Sequence, residues 1–259
     1  MLFSPVEQFE LGIIKGIFIK TEHSFLDISF SNLSFFFAVL FIVIFSLFGL
    51  VYYNSEKVFS NPFQKFLEKI VSFVLTLLKD NLNWANNIYF VLLFTIFIVI
   101  LFANIGGMFP YSFAITGHLM VTFGIAFSVF LGLNIIGYKI HRSHMLSLLL
   151  PEGVPFAISS LLIIIEFISY NFRVISLSVR LFANIMAGHT LLAVIYGFNH
   201  FLIFSNSTSI LIAILPLILF PVITLVILLI GLEFGVALIQ AYVFTLLCTM
   251  YLHDAKFLH

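Results

Sequence analysis

The chain has 259 residues, of which 62% are apolar and 8% charged, with a mean hydropathy of +1.21. That is far outside soluble usage, so its solvent is a bilayer. Eleven Lys plus Arg balance eleven Asp plus Glu, which leaves no basic surface for nucleic acid or for steering an anionic ligand.

A single cysteine, Cys248, excludes an internal disulfide and any cysteine-based zinc or iron–sulfur site made by this chain alone. It reads as a small apolar residue facing lipid or helix. The N-terminus MLFSPVEQFELGIIKG lacks the basic start, apolar run and cleavage site of a secretory signal, and it is too acidic for a transit peptide.

Residues 1–32 are expected as an outer-side segment. Crossing the ~30 Å hydrocarbon core takes ~20 apolar residues, and the uncharged run 33–53 is the first span. Next, 61–80 places Phe66, Ile70, Phe73, Val74 and Leu77 at helical spacing among lysines, which predicts an amphipathic helix on the membrane surface. Spans follow at 88–109 and 119–138, joined by the uncharged turn 110–118. The loop 54–87 holds Lys57, Lys65, Lys69 and Lys79, and the third span is followed by Lys139 and Arg142. The positive-inside rule therefore puts the N-terminus outside and residues 139–154 inside.

From Pro155 no proline recurs until Pro216. One helix over 155–204 would be ~75 Å long, more than twice the core thickness, and so steeply tilted. The competing reading is a pair of short spans around NFRVISLSVRLFAN, a loop without Gly or Pro. After the turn FSNSTS, 210–256 forms a second arm, broken or kinked near Pro216 and Pro221. The expected fold is an all-α membrane protein of about five long embedded helices plus one interfacial helix, the last two forming a tilted hairpin.

Between Pro155 and His253 the formal charges are Glu166, Arg173, Arg180 and Glu233. Each costs ~2.5–3.5 kcal/mol at the centre of a membrane helix. Glu166, Arg173 and Arg180 are spaced by heptads and fall on one stripe that Asn184 extends, and Glu233 and Gln240 repeat the spacing on the second arm. Two polar stripes on adjacent helices describe an ion path. The alternatives are that the arginines snorkel and that the carboxyls are neutral hydrogen-bond donors. His189 lies about half a revolution from Arg180, on another face. His141 and His144 resemble half of a metal site, but no second pair accompanies them.

ISLSVRLFANIMAGH at 175–189, LEFGVALIQAYVFTLLCTMYLHDA at 232–255, GMFPYSFAITGH at 107–118 and SPVEQF at 4–9 resemble the a-subunit family of mitochondrial and related bacterial F-type ATP synthases, in matching segment order over almost the whole chain. The resemblance implies that Arg180 faces a rotating ring of c-subunits, with Asn184 one turn on. It implies that His189 and Glu233 line an outer half-channel and that Gln240 packs close to the arginine. Glu166 and Asp254 would be acids of an inner half-channel, while Arg173 receives no role. Histidine at 189 and glutamate at 233 exchange the types found in some bacterial members, which favours the mitochondrial branch.

The implied partners are the c-ring, other membrane-sector and peripheral-stalk subunits and the lipid bilayer, with a dimer of the whole complex left open. The implied location is the mitochondrial inner membrane, the bacterial plasma membrane being the alternative. Neither cofactor nor metal is implied. Without a GxxxxGK[ST] loop the chain is not expected to make ATP itself. A transporter or channel would need paired repeats or broken helices, which are not visible. A haem carrier would need facing intramembrane histidines, and a purely structural subunit would leave Arg180, Glu166 and Glu233 as unexplained costs.

Overall fold

The computed structural model describes residues 9–10, 13–15, 18–21, 24–27, 30–54, 62–82, 89–108, 113–142, 156–204 and 209–256. Its helices are α1 (Asn32–Asn54), α2 (Pro62–Leu82), α3 (Phe90–Gly107), α4 (Leu119–His141), α5 (Phe156–Phe204) and α6 (Ser209–Lys256), with a 3₁₀ turn at Ile115–Gly117. Among the described residues four helices are long and apolar enough to cross a membrane, with α1 shorter by the same measure. The architecture is an all-α membrane protein.

Two departures from expectation stand out. The N-terminal segment carries short strands: β1 (Ile13–Lys15) pairs antiparallel with β4 (Phe30–Ser31), and β2 (Phe18–Thr21) with β3 (Ser24–Asp27). They form two small ribbons ahead of α1. In addition, of the break or kink expected near Pro216 and Pro221 the break does not form: α6 runs helical through both. Proline is tolerated in membrane helices, where neighbouring groups and small backbone adjustments satisfy the freed carbonyls. Likewise α5 is one continuous helix through NFRVISLSVRLFAN, so the two-span reading of that segment falls. The expected turn at FSNSTS and the greater part of the loop 139–154 lie outside the described residues.

The core forms around the C-terminal half of α6. Ala237, Ala241, Phe244, Thr245, Cys248, Thr249, Leu252 and Ala255 are all buried and recur at three- and four-residue steps, one face of a helix. Most are small, and small residues let helix backbones approach closely where no hydrophobic effect drives them together. Their polar members cost little to bury, because Thr245 donates to Tyr242 O at 2.8 Å and Thr249 to Leu246 O at 2.7 Å. Against this face pack α2, α3, α4 and α5, with Phe244, Leu181 and Leu93 fully buried in one cluster. The amphipathic helix α2 thus seats Val74 and Leu78 in the core rather than lying on the surface alone. The outward faces of α5 and α6, with Ile164, Phe167, Ile168, Phe220 and Ile227 exposed, are apolar, as helices in lipid must be.

Candidate functional site

Helices α5 and α6 run antiparallel, and their polar groups meet in register: α5 advances from Arg173 to Asn184 as far as α6 does from Gln240 to Tyr251. At one end of this run Asn184 Nδ2 donates to Gln240 Oε1 at 2.9 Å. Gln240 is buried, and its Nε2 has no hydrogen-bond partner among the described residues. A buried donor left unpaired costs ~1–3 kcal/mol, which marks this amide as more than filler.

On one side of the pair lies a first cavity of about 470 Å³, lined by Ile165, Ile168, Ser169, Phe172, Arg173, Ser176, Leu177 and Arg180 of α5 and Leu247 and Tyr251 of α6. The α5 members recur at three- and four-residue steps and form one face. Arg180 is exposed and makes no salt bridge among the described residues. Arg173 is held: it pairs with Asp254 at 3.7 Å and sits over the rings of Tyr251 and Tyr170, 5.1 and 5.6 Å from their centroids. Tyr170 in turn donates to Asn134 Oδ1 of α4, so one network ties α4, α5 and α6 together. His253 Nδ1 approaches Asp254 at 3.8 Å, and His141 Nε2 lies 2.9 Å from Lys256 O.

Because the Arg173 and Asp254 side chains keep 31% and 48% of their exposure, the ion pair is screened and is worth no more than ~1 kcal/mol. Asp254→Asn is therefore expected to leave the thermal midpoint of the assembled complex nearly unchanged. A large drop in that midpoint would show the pair to be a structural clamp.

On the other side lies a second cavity of about 240 Å³, lined by Asn184, Ile185, Ala187, Gly188, His189 and Leu191 of α5, Leu232, Glu233 and Val236 of α6, and Met108 after α3. Glu233 crosses the helix interface so closely that a Cβ at Gly188 would lie 2.7 Å from its Oε1. The His189 and Phe9 rings pack T-shaped, with centroids 5.9 Å apart. Nearby, His118 at the start of α4 stacks on Phe113 at 4.9 Å, and burial pushes its imidazole below the usual histidine value.

The expected residues are thus divided between two places. Asn184, His189 and Glu233 share the second cavity, Gln240 bonds to Asn184, Arg180 lines the first cavity, and Asp254 is tied to Arg173, which lines it too. Glu166 is half-buried, does not line the first cavity and has no salt bridge among the described residues. The stripe from Glu166 to Asn184 is divided by depth along α5: Arg173 and Arg180 line the first cavity, Asn184 the second, and Glu166 neither. Gly188 and Phe9 were missed, as was the partner of Arg173. Only Gly188 left a signal, a glycine inside a membrane helix beside a histidine. The pair His141 and His144 is not brought together here, because His144 lies outside the described residues.

Fold and site together define a polytopic, all-α membrane protein whose charged and amide side chains converge between its last two helices. The family described as ATP synthase A chain matches residues 33–253. Similar proteins include the ATP synthase subunit a of Marchantia polymorpha, 39% identical over the full length of both chains. That of Chondrus crispus is 39% identical over 100% of this chain and 98% of its own, and that of Acanthamoeba castellanii 39% identical over 98% of each. The chain belongs to the ATP synthase a-subunit family, the proton-translocating subunit of the F-type membrane sector. It is a multi-pass inner-membrane protein of the organellar kind.

Proposed function

We propose that the two cavities are the two half-channels of a proton path and that the exposed surface of α5 and α6 between them faces a ring of c-subunits. The observation that carries this reading is the Asn184–Gln240 hydrogen bond: Gln240 lies between the two linings along α6, and Asn184 stands at the edge of the second cavity nearest the first. Water in either cavity would reach the ring surface, yet not the other cavity directly.

In this reading a proton enters from the outer side by way of His189 and Glu233 and neutralises a ring carboxylate, which can then rotate into lipid at little electrostatic cost. After nearly a full turn it reaches the first cavity, where Arg180 forces it to ionise and the proton leaves toward the inner side past Asp254, with Glu166 nearby. Arginine suits position 180 because it stays charged even when partly buried, whereas a lysine can lose its proton. Arg173, neutralised by Asp254 and stacked between tyrosines, is a fixed wall of the exit. One proton crossing 100 mV yields ~2.3 kcal/mol, so several must be combined for each ATP, and rotation combines them. The chain makes no ATP itself; nucleotide chemistry belongs to soluble subunits, and other membrane-sector and peripheral-stalk subunits hold this one against the torque.

Sided thiol labelling tests the division. In the assembled complex with Cys248→Ala, membrane-impermeant reagents should modify Ala187→Cys from the outer side and Ser176→Cys from the inner side. Labelling of both from one side would sink the two-cavity reading.

A further inference from the structure

Phe9 belongs to the N-terminal segment, far in sequence from the ion path, yet it is 7% exposed and packed with Ala114, Ile185 and Met186. One side of its ring meets the 3₁₀ turn: a Cβ on Gly117 would lie 2.8 Å from Phe9 Cε1 and 2.9 Å from Cδ1. The other meets His189 at 84° between ring planes. The ring is therefore wedged between the turn and α5, and glycine at 117 is what gives it room. His189 has one face toward the second cavity and its other flank against this wedge.

We infer that Phe9 is a positioning residue: inserted from the N-terminal segment, it fixes the rotamer of His189 and so the place where the imidazole exchanges protons in the second cavity. An imidazole relays a proton only when its ring nitrogens hold their geometry toward donor and acceptor, and among the described residues no side-chain hydrogen bond from α5 locks this ring. An aromatic ring supplies the lock without competing for a hydrogen bond. Glu233 of α6 is the ionisable group that shares the cavity; α3 contributes Met108 there, and the 3₁₀ turn brings no charge, with His118 just beyond it. The inference rests on His189 belonging to the outer half-channel.

The test uses the whole complex in sealed vesicles, with ATP synthesis per assembled complex measured against outer-side pH at fixed inner pH and potential. Phe9→Leu keeps an apolar filler beneath the turn but removes the aromatic ring. It is expected to lower the maximal rate about tenfold, since misplacement by ~1 Å costs up to ~100-fold, and to move the half-maximal outer pH by about half a unit or more. Loss of assembly alone would change the yield but not this profile, and if Phe9→Ala fails to assemble, Phe9→Leu still decides. A profile that stays at the wild-type outer pH in Phe9→Leu, whatever its rate, overturns the inference. His189→Ala is measured beside it. Wild-type synthesis there would overturn the reading of the cavity itself, whereas lost synthesis there with an unmoved Phe9→Leu profile overturns the role of Phe9 alone.

Discussion

Arg180→Ala is expected to abolish ATP synthesis driven by a pH gradient while the complex still assembles, and to raise passive proton leak through the membrane sector. Arg180 is exposed on an apolar helix and finds no carboxylate among the described residues of its own chain, which leaves it open to the ring carboxylate of the proposed mechanism. A carboxylate passing about 4 Å away at an effective dielectric of ~20 is attracted by ~4 kcal/mol. This amounts to roughly a thousandfold bias toward the ionised form. Without it the carboxyl would keep its proton past the first cavity, rotation would carry no net proton, and synthesis would fall by at least ~100-fold. Assembly should survive, because truncating an exposed, unpaired side chain leaves no buried group orphaned. Wild-type synthesis by Arg180→Ala would refute the mechanism. Arg180→Lys is expected between the two, since a lysine keeps the charge only while hydrated.

Much of this architecture was legible because a bilayer imposes long uninterrupted apolar runs, and because charges inside them are too costly to be incidental. Arg180 and Glu233 could be singled out on that ground, and Asn184 by its spacing one turn beyond Arg180. What the pattern hid depends on three-dimensional register. Spacing alone cannot say that the antiparallel partner of Arg173 is Asp254, because that follows only when α5 and α6 are set against each other. Heptad spacing joined Glu166 to the path, yet Glu166 stands at the end of the stretch of α5 that lines the first cavity and is not part of its wall. The prolines of α6 suggested a break that tertiary packing in lipid does not require. The burial of Phe9 has no periodicity to read, since it arises from contacts with distant segments, and the strands before α1 are too short to show an alternation.

Gly188→Ala should lower proton-driven synthesis by about 10- to 100-fold without loss of assembly, and shortening the opposing carboxylate should recover part of it. The added methyl would lie 2.7 Å from Glu233 Oε1, 3.0 Å from Cδ and 3.1 Å from Cγ. A clash with Oε1 alone could be relieved by turning the carboxyl, but Cδ and Cγ are crowded as well, so the whole end of the side chain must move. A displacement near 1 Å at a proton relay costs up to ~100-fold. The helix itself would tolerate the change, because alanine is favoured over glycine in a helix interior by ~1 kcal/mol. Any loss is thus expected in the relay rather than in folding. Gly188→Ala combined with Glu233→Asp gives the methyl room by withdrawing one methylene, so the pair should synthesise ATP faster than Gly188→Ala alone. Such non-additivity is what two side chains in contact produce. Additive losses in the double variant, or a wild-type rate in Gly188→Ala, would mean that the close approach of Glu233 to α5 does not govern the outer half-channel.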